Sequence, residues 1–197
     1  VTTGAVTLQD NQAHSNGGGL YITESKLIAN GTKFTNNFGR TGGGALYTFW
    51  SEAELKNVTA TGNKSDSAGG GIAFSKLSTF TLQGGVIEDN TAKMAGGLLI
   101  QNWSEGTVTD LTVRNNQATG NWGGGIAQFG GTVAAYKNCE IYNNKASEGG
   151  GMLADIHSNV VAQDLTVRDN ISEGTGGGIF ARGRLELTSS KVLNNTA

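Results

Sequence analysis

Apolar residues along this chain recur at every second position in short runs, and turn residues close each run. Ile126 and Gln128, Val133 and Ala135, then Cys139 and Ile141 mark three consecutive runs. Leu20 and Ile22, Leu27 and Ala29, then Thr32 and Phe34 mark three near the start. Ile179 and Ala181, Leu185 and Leu187, then Val192 mark three near the end. Alternation with period two puts one face of each run in a core, and no run has the period or length of a helix. The pattern predicts short strands only, three to a unit, each followed by a bend.

The units repeat. A small-residue triplet and an apolar residue occur at Gly17-Gly18-Gly19-Leu20, Gly42-Gly43-Gly44-Ala45, Gly69-Gly70-Gly71-Ile72 and Ala95-Gly96-Gly97-Leu98. They return at Gly123-Gly124-Gly125-Ile126, Gly149-Gly150-Gly151-Met152 and Gly176-Gly177-Gly178-Ile179. First positions step by 25, 27, 26, 28, 26 and 27 residues. An Asn precedes each triplet, at Asn11, Asn37, Asn63, Asn90, Asn116, Asn144 and Asn170, and Asn195 begins an eighth unit. Three residues before each Asn lies an apolar side chain (Leu8, Phe34, Ala60, Ile87, Val113, Ile141, Val167, Val192). The residue just before each Asn is Asp, Asn or Gly, as in a strand that ends in an Asx-rich turn.

A repeat of this length with period-two runs predicts a solenoid. Coils stacked about 4.8 Å apart set each residue above its equivalent, so apolar positions form interior columns and the rod reaches roughly 30–35 Å. Turn Asn residues can then bond to one another as a ladder, and Gly supplies positive φ and close backbone approach at the corners. Hairpin signals are nearly missing, and parallel crossovers are right-handed. The expected fold is an all-β, right-handed parallel β-helix of about seven three-strand coils, with residues 1–197 forming one segment of a longer array.

Composition fits that fold and narrows the function. Gly is 32 of 197 residues and Pro is absent, while 37% of residues are hydrophobic, which sets the chain apart from collagen and from disordered linkers. With net charge −2 and scattered basic residues there is no electrostatic footprint for nucleic acid. No apolar run has the ~18 residues of a membrane-spanning helix. Cys139 stands alone in an alternating stretch and reads as a buried thiol. Neither a metal nor another cofactor is implied by any motif.

The pairing of Gly-Gly-x-apolar with apolar-x-x-Asn resembles the repeats of the chlamydial-type polymorphic outer-membrane proteins. Those read Gly-Gly-Ala-[Ile/Leu/Val] and Phe-x-x-Asn. Here the third triplet residue is Gly throughout and Phe stands only at Phe34. The resemblance runs from Leu8 to Asn195. It implies an autotransporter-passenger-like β-helix on a cell surface with adhesive or structural work.

Candidate chemistry is sparse. Asp10, Asp89 and Asp169 share one repeat position but lie in coils one, four and seven, about 14 Å between successive members, too far apart for paired carboxylates. Asp155, His157 and Asp164 fall in one coil without an orienting third group. His14 is solitary, and Arg114 and Arg168 read as solvent-facing strand residues two coils apart. One row is aromatic: the fifth residue after each post-triplet position is Ser25, Trp50, Leu77, Trp103, Gly131, His157 and Arg184. Trp50, Leu77 and Trp103 would stack along one bend as a surface for surface glycans or a partner. Sequons at Asn30, Asn57, Asn63, Asn102, Asn170 and Asn194 are compatible with secretion.

The expectation is therefore a non-catalytic, extracellular or cell-surface structural or adhesive β-helix. A polysaccharide lyase or hydrolase is the alternative. Val1–Thr7 already alternates and Asn195 opens a further turn, so neither end reads as a cap. Further coils of the same chain, or other protein chains, are the expected partners there.

Overall fold

The computed structural model describes residues 1–197. All ladders between coils are parallel, and they form one 14-stranded sheet and two 7-stranded sheets. The fifth coil shows the unit: Ile126–Phe129, Val133–Lys137, Glu140–Tyr142 and Lys145–Glu148. We call these the first, second, third and fourth walls. Walls two and three of every coil share the large sheet, and in coils two and three they run on as single strands, Glu52–Thr61 and Thr79–Glu88. The fourth wall is an addition to the three expected strands. It is two residues long in most coils and follows the Asn, where the sequence pattern predicts only a turn.

Interior columns pass from coil to coil. Leu20, Leu46, Ile72, Leu98, Ile126, Met152 and Ile179 are successive partners in the first wall. Phe34, Ala60, Ile87, Val113, Ile141 and Val167 are all fully buried in the third. Bulk is traded between neighbours within a column. Phe80 lies between Ala53 and Gly106, and its ring stacks on Phe74 across the core at 4.0 Å. This alternation of large and small keeps the interior close-packed. Columns in the outermost coils face inward too but keep exposure, since only one neighbouring coil shields them.

Two registers differ from the sequence reading. In coil five, Ala134 and Tyr136 fill the core while Val133 and Ala135 face outward. Coils three to six carry one more residue between walls one and two than coils one and two, which shifts the inward set to Ala134 and Tyr136. The Tyr136 hydroxyl is satisfied inside by Gln128 Oε1 at 2.8 Å. In coil two, Leu46 rather than Ala45 pairs with Leu20 and Ile72. The structural triplet there is Gly43-Gly44-Ala45, so that repeat reads Gly-Gly-Ala-Leu. Gly42 instead bridges Asn16 and Ala68.

The triplet positions have different jobs. The first is left-handed, with φ of 56° at Gly43. The second lies against the next coil: a methyl on Gly96 would come within 2.5 Å of Gly124 O. Left-handed residues also explain the position before each Asn. Asp10, Asn36, Asp89, Asn115, Asn143, Asp169 and Asn194 have φ between 51° and 55°, a conformation that Asn and Asp tolerate best after Gly.

Candidate functional site

The eight repeat Asn residues form one continuous ladder inside the rod. Asn11, Asn37, Asn63, Asn90, Asn116, Asn144 and Asn170 each donate from Nδ2 to the next Oδ1, at 2.8–3.0 Å, ending on Asn195. Each Oδ1 after the first also accepts the backbone N–H of the preceding Asn. Asn116 shows the full set: it accepts from Asn90 N and Nδ2, both at 3.0 Å, and donates to Asn144 Oδ1 and Ile87 O. A second buried ladder is not apparent from the sequence pattern. Ser25, Ser51 and Ser78 N–H groups donate to Oγ of Ser51, Ser78 and Ser104, at 3.2–3.3 Å. Thr132 and Ser158 continue the column at 3.3 Å. Its only sequence signal is a small hydroxyl residue at one repeat position. Both ladders are structural, and they fix what the outer faces present.

Immediately before this hydroxyl column, the chain turns outward at a left-handed corner. Trp50 N donates to Lys76 O, Leu77 N to Asn102 O and Trp103 N to Gly130 O, so Trp50, Leu77, Trp103 and Gly131 follow one another up the rod. The row meets Glu24, not Ser25, at its lower end, and Arg184 belongs to the second wall. Trp50, Leu77 and Trp103 are 51, 62 and 67% exposed. Their φ values are 48°, 54° and 64°, in a region that bulky residues rarely enter. The Trp103 ring covers Gly131, where a Cβ would run into it. Trp50 leans on Phe49 with ring centroids 5.0 Å apart.

Two residues beyond this ridge the second wall begins, and its outer face is a shallow trough. One depression of about 430 Å³ is lined by Glu52, Glu54, Thr79, Thr81, Glu105 and Thr107, among others. A neighbouring one of about 440 Å³ shares Glu54, Thr81 and Thr107 with it. Lys26 Nζ contacts Glu52 at 2.8 Å and also reaches Glu54. Hydrogen bonding to Glu52 and then Glu54 raises the Lys26 ammonium above its usual range.

The third wall carries an outer column whose members do not resemble one another in sequence. Glu88, Arg114, Tyr142 and Arg168 are successive partners. Arg114 Nη1 donates to the Tyr142 hydroxyl at 3.0 Å and Nε to Glu88 at 2.8 Å. Arg168 lies 4.0 Å from the centre of the Tyr142 ring and pairs with Asp169 at 2.9 Å. The two arginines are thus held by one tyrosine rather than standing free in solvent.

The remaining candidates are not gathered. Asp10, Asp89 and Asp169 sit at equivalent corners of separate coils. Asp155 lies 3.7 Å from Arg182, His157 is on the ridge corner, and Asp164 is at the bend between walls two and three. His14 lies at the bend after strand Gln12–Ala13, ahead of the first wall of coil one at Leu20–Thr23. The Cys139 thiol is buried, and that burial pushes its pKa up. Of the sequons, Asn30, Asn57 and Asn194 are exposed and Asn102 is half-buried. Asn63 and Asn170 are ladder residues with no exposed surface, so a glycan there is incompatible with the folded rod.

No helix is long and apolar enough to cross a membrane. No curated protein and no solved structure matches the chain. A family model described as the right-handed β-helix region matches residues 1–146, about three quarters of the sequence. The coils beyond residue 146 keep the same ladders and columns. The chain belongs to the right-handed β-helix region family.

Proposed function

We propose that this chain is a non-catalytic, extracellular segment of a surface or appendage protein, a stiff rod that displays an adhesive face. One observation carries this reading. The Asn ladder and the inward-facing columns repeat from coil to coil, whereas the residues of the ridge and trough project outward and change from coil to coil, which is the division of labour of a display scaffold. The repeat's resemblance to the polymorphic outer-membrane proteins supports surface exposure, as does the Gly43-Gly44-Ala45-Leu46 unit. In the trough, Glu52 and Glu54 both pair with Lys26, so neither carboxylate stands free beside a partner acid or base.

The test pairs retention with turnover. Beads carrying the purified protein are expected to be retained on glycan-coated surfaces. Incubation with neutral and acidic polysaccharides, with and without Ca²⁺, is expected to release neither reducing ends nor unsaturated products. Product release lost in Glu105→Gln or Asp155→Asn would convert the chain into an enzyme.

A further inference from the structure

We infer that the Trp50–Leu77–Trp103 ridge and the trough beside it bind a β-1,4-linked glycan of neutral or amine-bearing sugars, lying along the rod axis. This deepens the adhesive reading above and rests on it. Three independent features point the same way.

The first is spacing. Coils rise about 4.8 Å, so Trp50 and Trp103, two coils apart, stand roughly 10 Å from each other along the axis. A β-1,4-linked pyranose chain turns over at each ring and presents the same face at every second ring, a repeat comparable to two coils. Trp50 and Trp103 can therefore stack on alternate sugars, with the apolar Leu77 under the sugar between them. Flat aromatic surface with a polar edge suits the apolar face of a sugar ring.

The second is the backbone. The corner is left-handed in each coil from Glu24 to His157, and coil five fills it with Gly131, while the other corners use mainly Gly, Asn or Asp. Trp50, Leu77 and Trp103 hold this conformation as bulky apolar residues with exposed side chains, and strain of that kind clusters at ligand-binding and switch regions. Trp103 also lies over Gly131 with most of its surface still open, so one face of its ring is left for a ligand.

The third is charge. Three carboxylates, Glu52, Glu54 and Glu105, line the trough against two ammonium groups, Lys26 held against Glu52 and Glu54 and Lys56 in the neighbouring depression. This excess of carboxylate repels uronic acids and favours uncharged or amino sugars. Thr79 stands between Glu52 and Glu105, and Thr81 and Thr107 follow Glu54 up the rod, as further hydrogen-bonding groups.

Calorimetric titration of the whole chain with cellohexaose, a glucosamine hexamer and a galacturonate hexamer tests the inference. The first two are expected to bind and the third to bind at least tenfold more weakly. Trp50→Gly and Trp103→Gly should each weaken binding at least tenfold while leaving the β-sheet circular dichroism unchanged. Glu105→Gln should narrow the gap between galacturonate and the neutral hexamer. No binding of either expected ligand at millimolar concentration would overturn the inference, as would equal binding of galacturonate or full affinity in the Trp50→Gly/Trp103→Gly double variant. Any of these, with bead retention intact and no products formed, would leave the adhesive reading standing. Product release would overturn that reading instead.

Discussion

At the scale of single residues, the rod depends on side chains that complete bonds no backbone group can make alone. Removing the Asn116 amide leaves Asn90 N–H, Asn90 Nδ2, Asn144 Oδ1 and Ile87 O short of partners in a dry interior. Asn116→Ala is expected to lower stability by about 1–3 kcal/mol in chemical denaturation. A change within about 0.3 kcal/mol would remove the ladder from the account of stability. The ridge tryptophans predict the opposite sign. Relief of left-handed strain is worth about 1–2 kcal/mol per residue, partly offset because the Trp50 ring no longer packs on Phe49. Trp50→Gly should therefore leave stability unchanged or raise it by up to about 1 kcal/mol, and a larger loss would make the ring a structural cap. Cys139 gives a kinetic check. Its thiol is buried and pushed up in pKa, so a thiol reagent should label it only as fast as the rod unfolds. Rapid labelling of native protein would contradict that burial.

At the scale of strands and corners, the sequence is legible wherever a signal repeats. The Asn ladder, the triplet corner and the third-wall column from Leu8 to Val192 each recur in every coil, so one ambiguous copy is corrected by the others. The coil-two register is misleading because Gly42-Gly43-Gly44-Ala45 contains four small residues, and only the pairing of Leu46 with Ile72 decides which three form the corner. Val133 and Ala135 mislead because alternation fixes two faces without saying which is inside. Ala is small enough for either face, and the deciding residue, Tyr136, carries its own buried partner in Gln128. The fourth wall is too short to show any period. Exterior features are harder still: Glu88, Arg114, Tyr142 and Arg168 differ in type, so only stacking reveals them as one column. The ridge is legible because its position can be counted from the triplets. The sequons illustrate the same limit, since a three-residue motif does not report burial. In a glycosylating secretory host, folded protein should carry glycans among Asn30, Asn57 and Asn194 and none at Asn63 or Asn170. Peptide mass spectrometry finding occupied Asn63 in folded material would contradict the ladder geometry.

For the whole molecule, the consequence of these repeated ladders is that each coil is stabilised by its two neighbours and by little else. Stability then adds coil by coil, as in a one-dimensional array, and no distant contact holds the fold together. Deleting residues 116–143 removes one complete coil, from one ladder Asn to the residue before the next. It brings Asn144 directly against Asn90, and Met152 and Val167 against Leu98 and Val113. The removed coil also carries the buried polar group of Gln128, Thr132 and Tyr136, whose hydrogen bonds are largely internal to it. The shortened chain is expected to fold with an unchanged β-sheet signature. Its denaturant dependence should fall by roughly one coil's share of buried surface, because that slope follows the area exposed on unfolding. The deletion also replaces Gly131 beneath Trp103 with His157, so ligand binding and folding can be followed separately in one variant. Loss of cooperative unfolding would show instead that coil five couples the coils on either side of it and that stability does not add coil by coil.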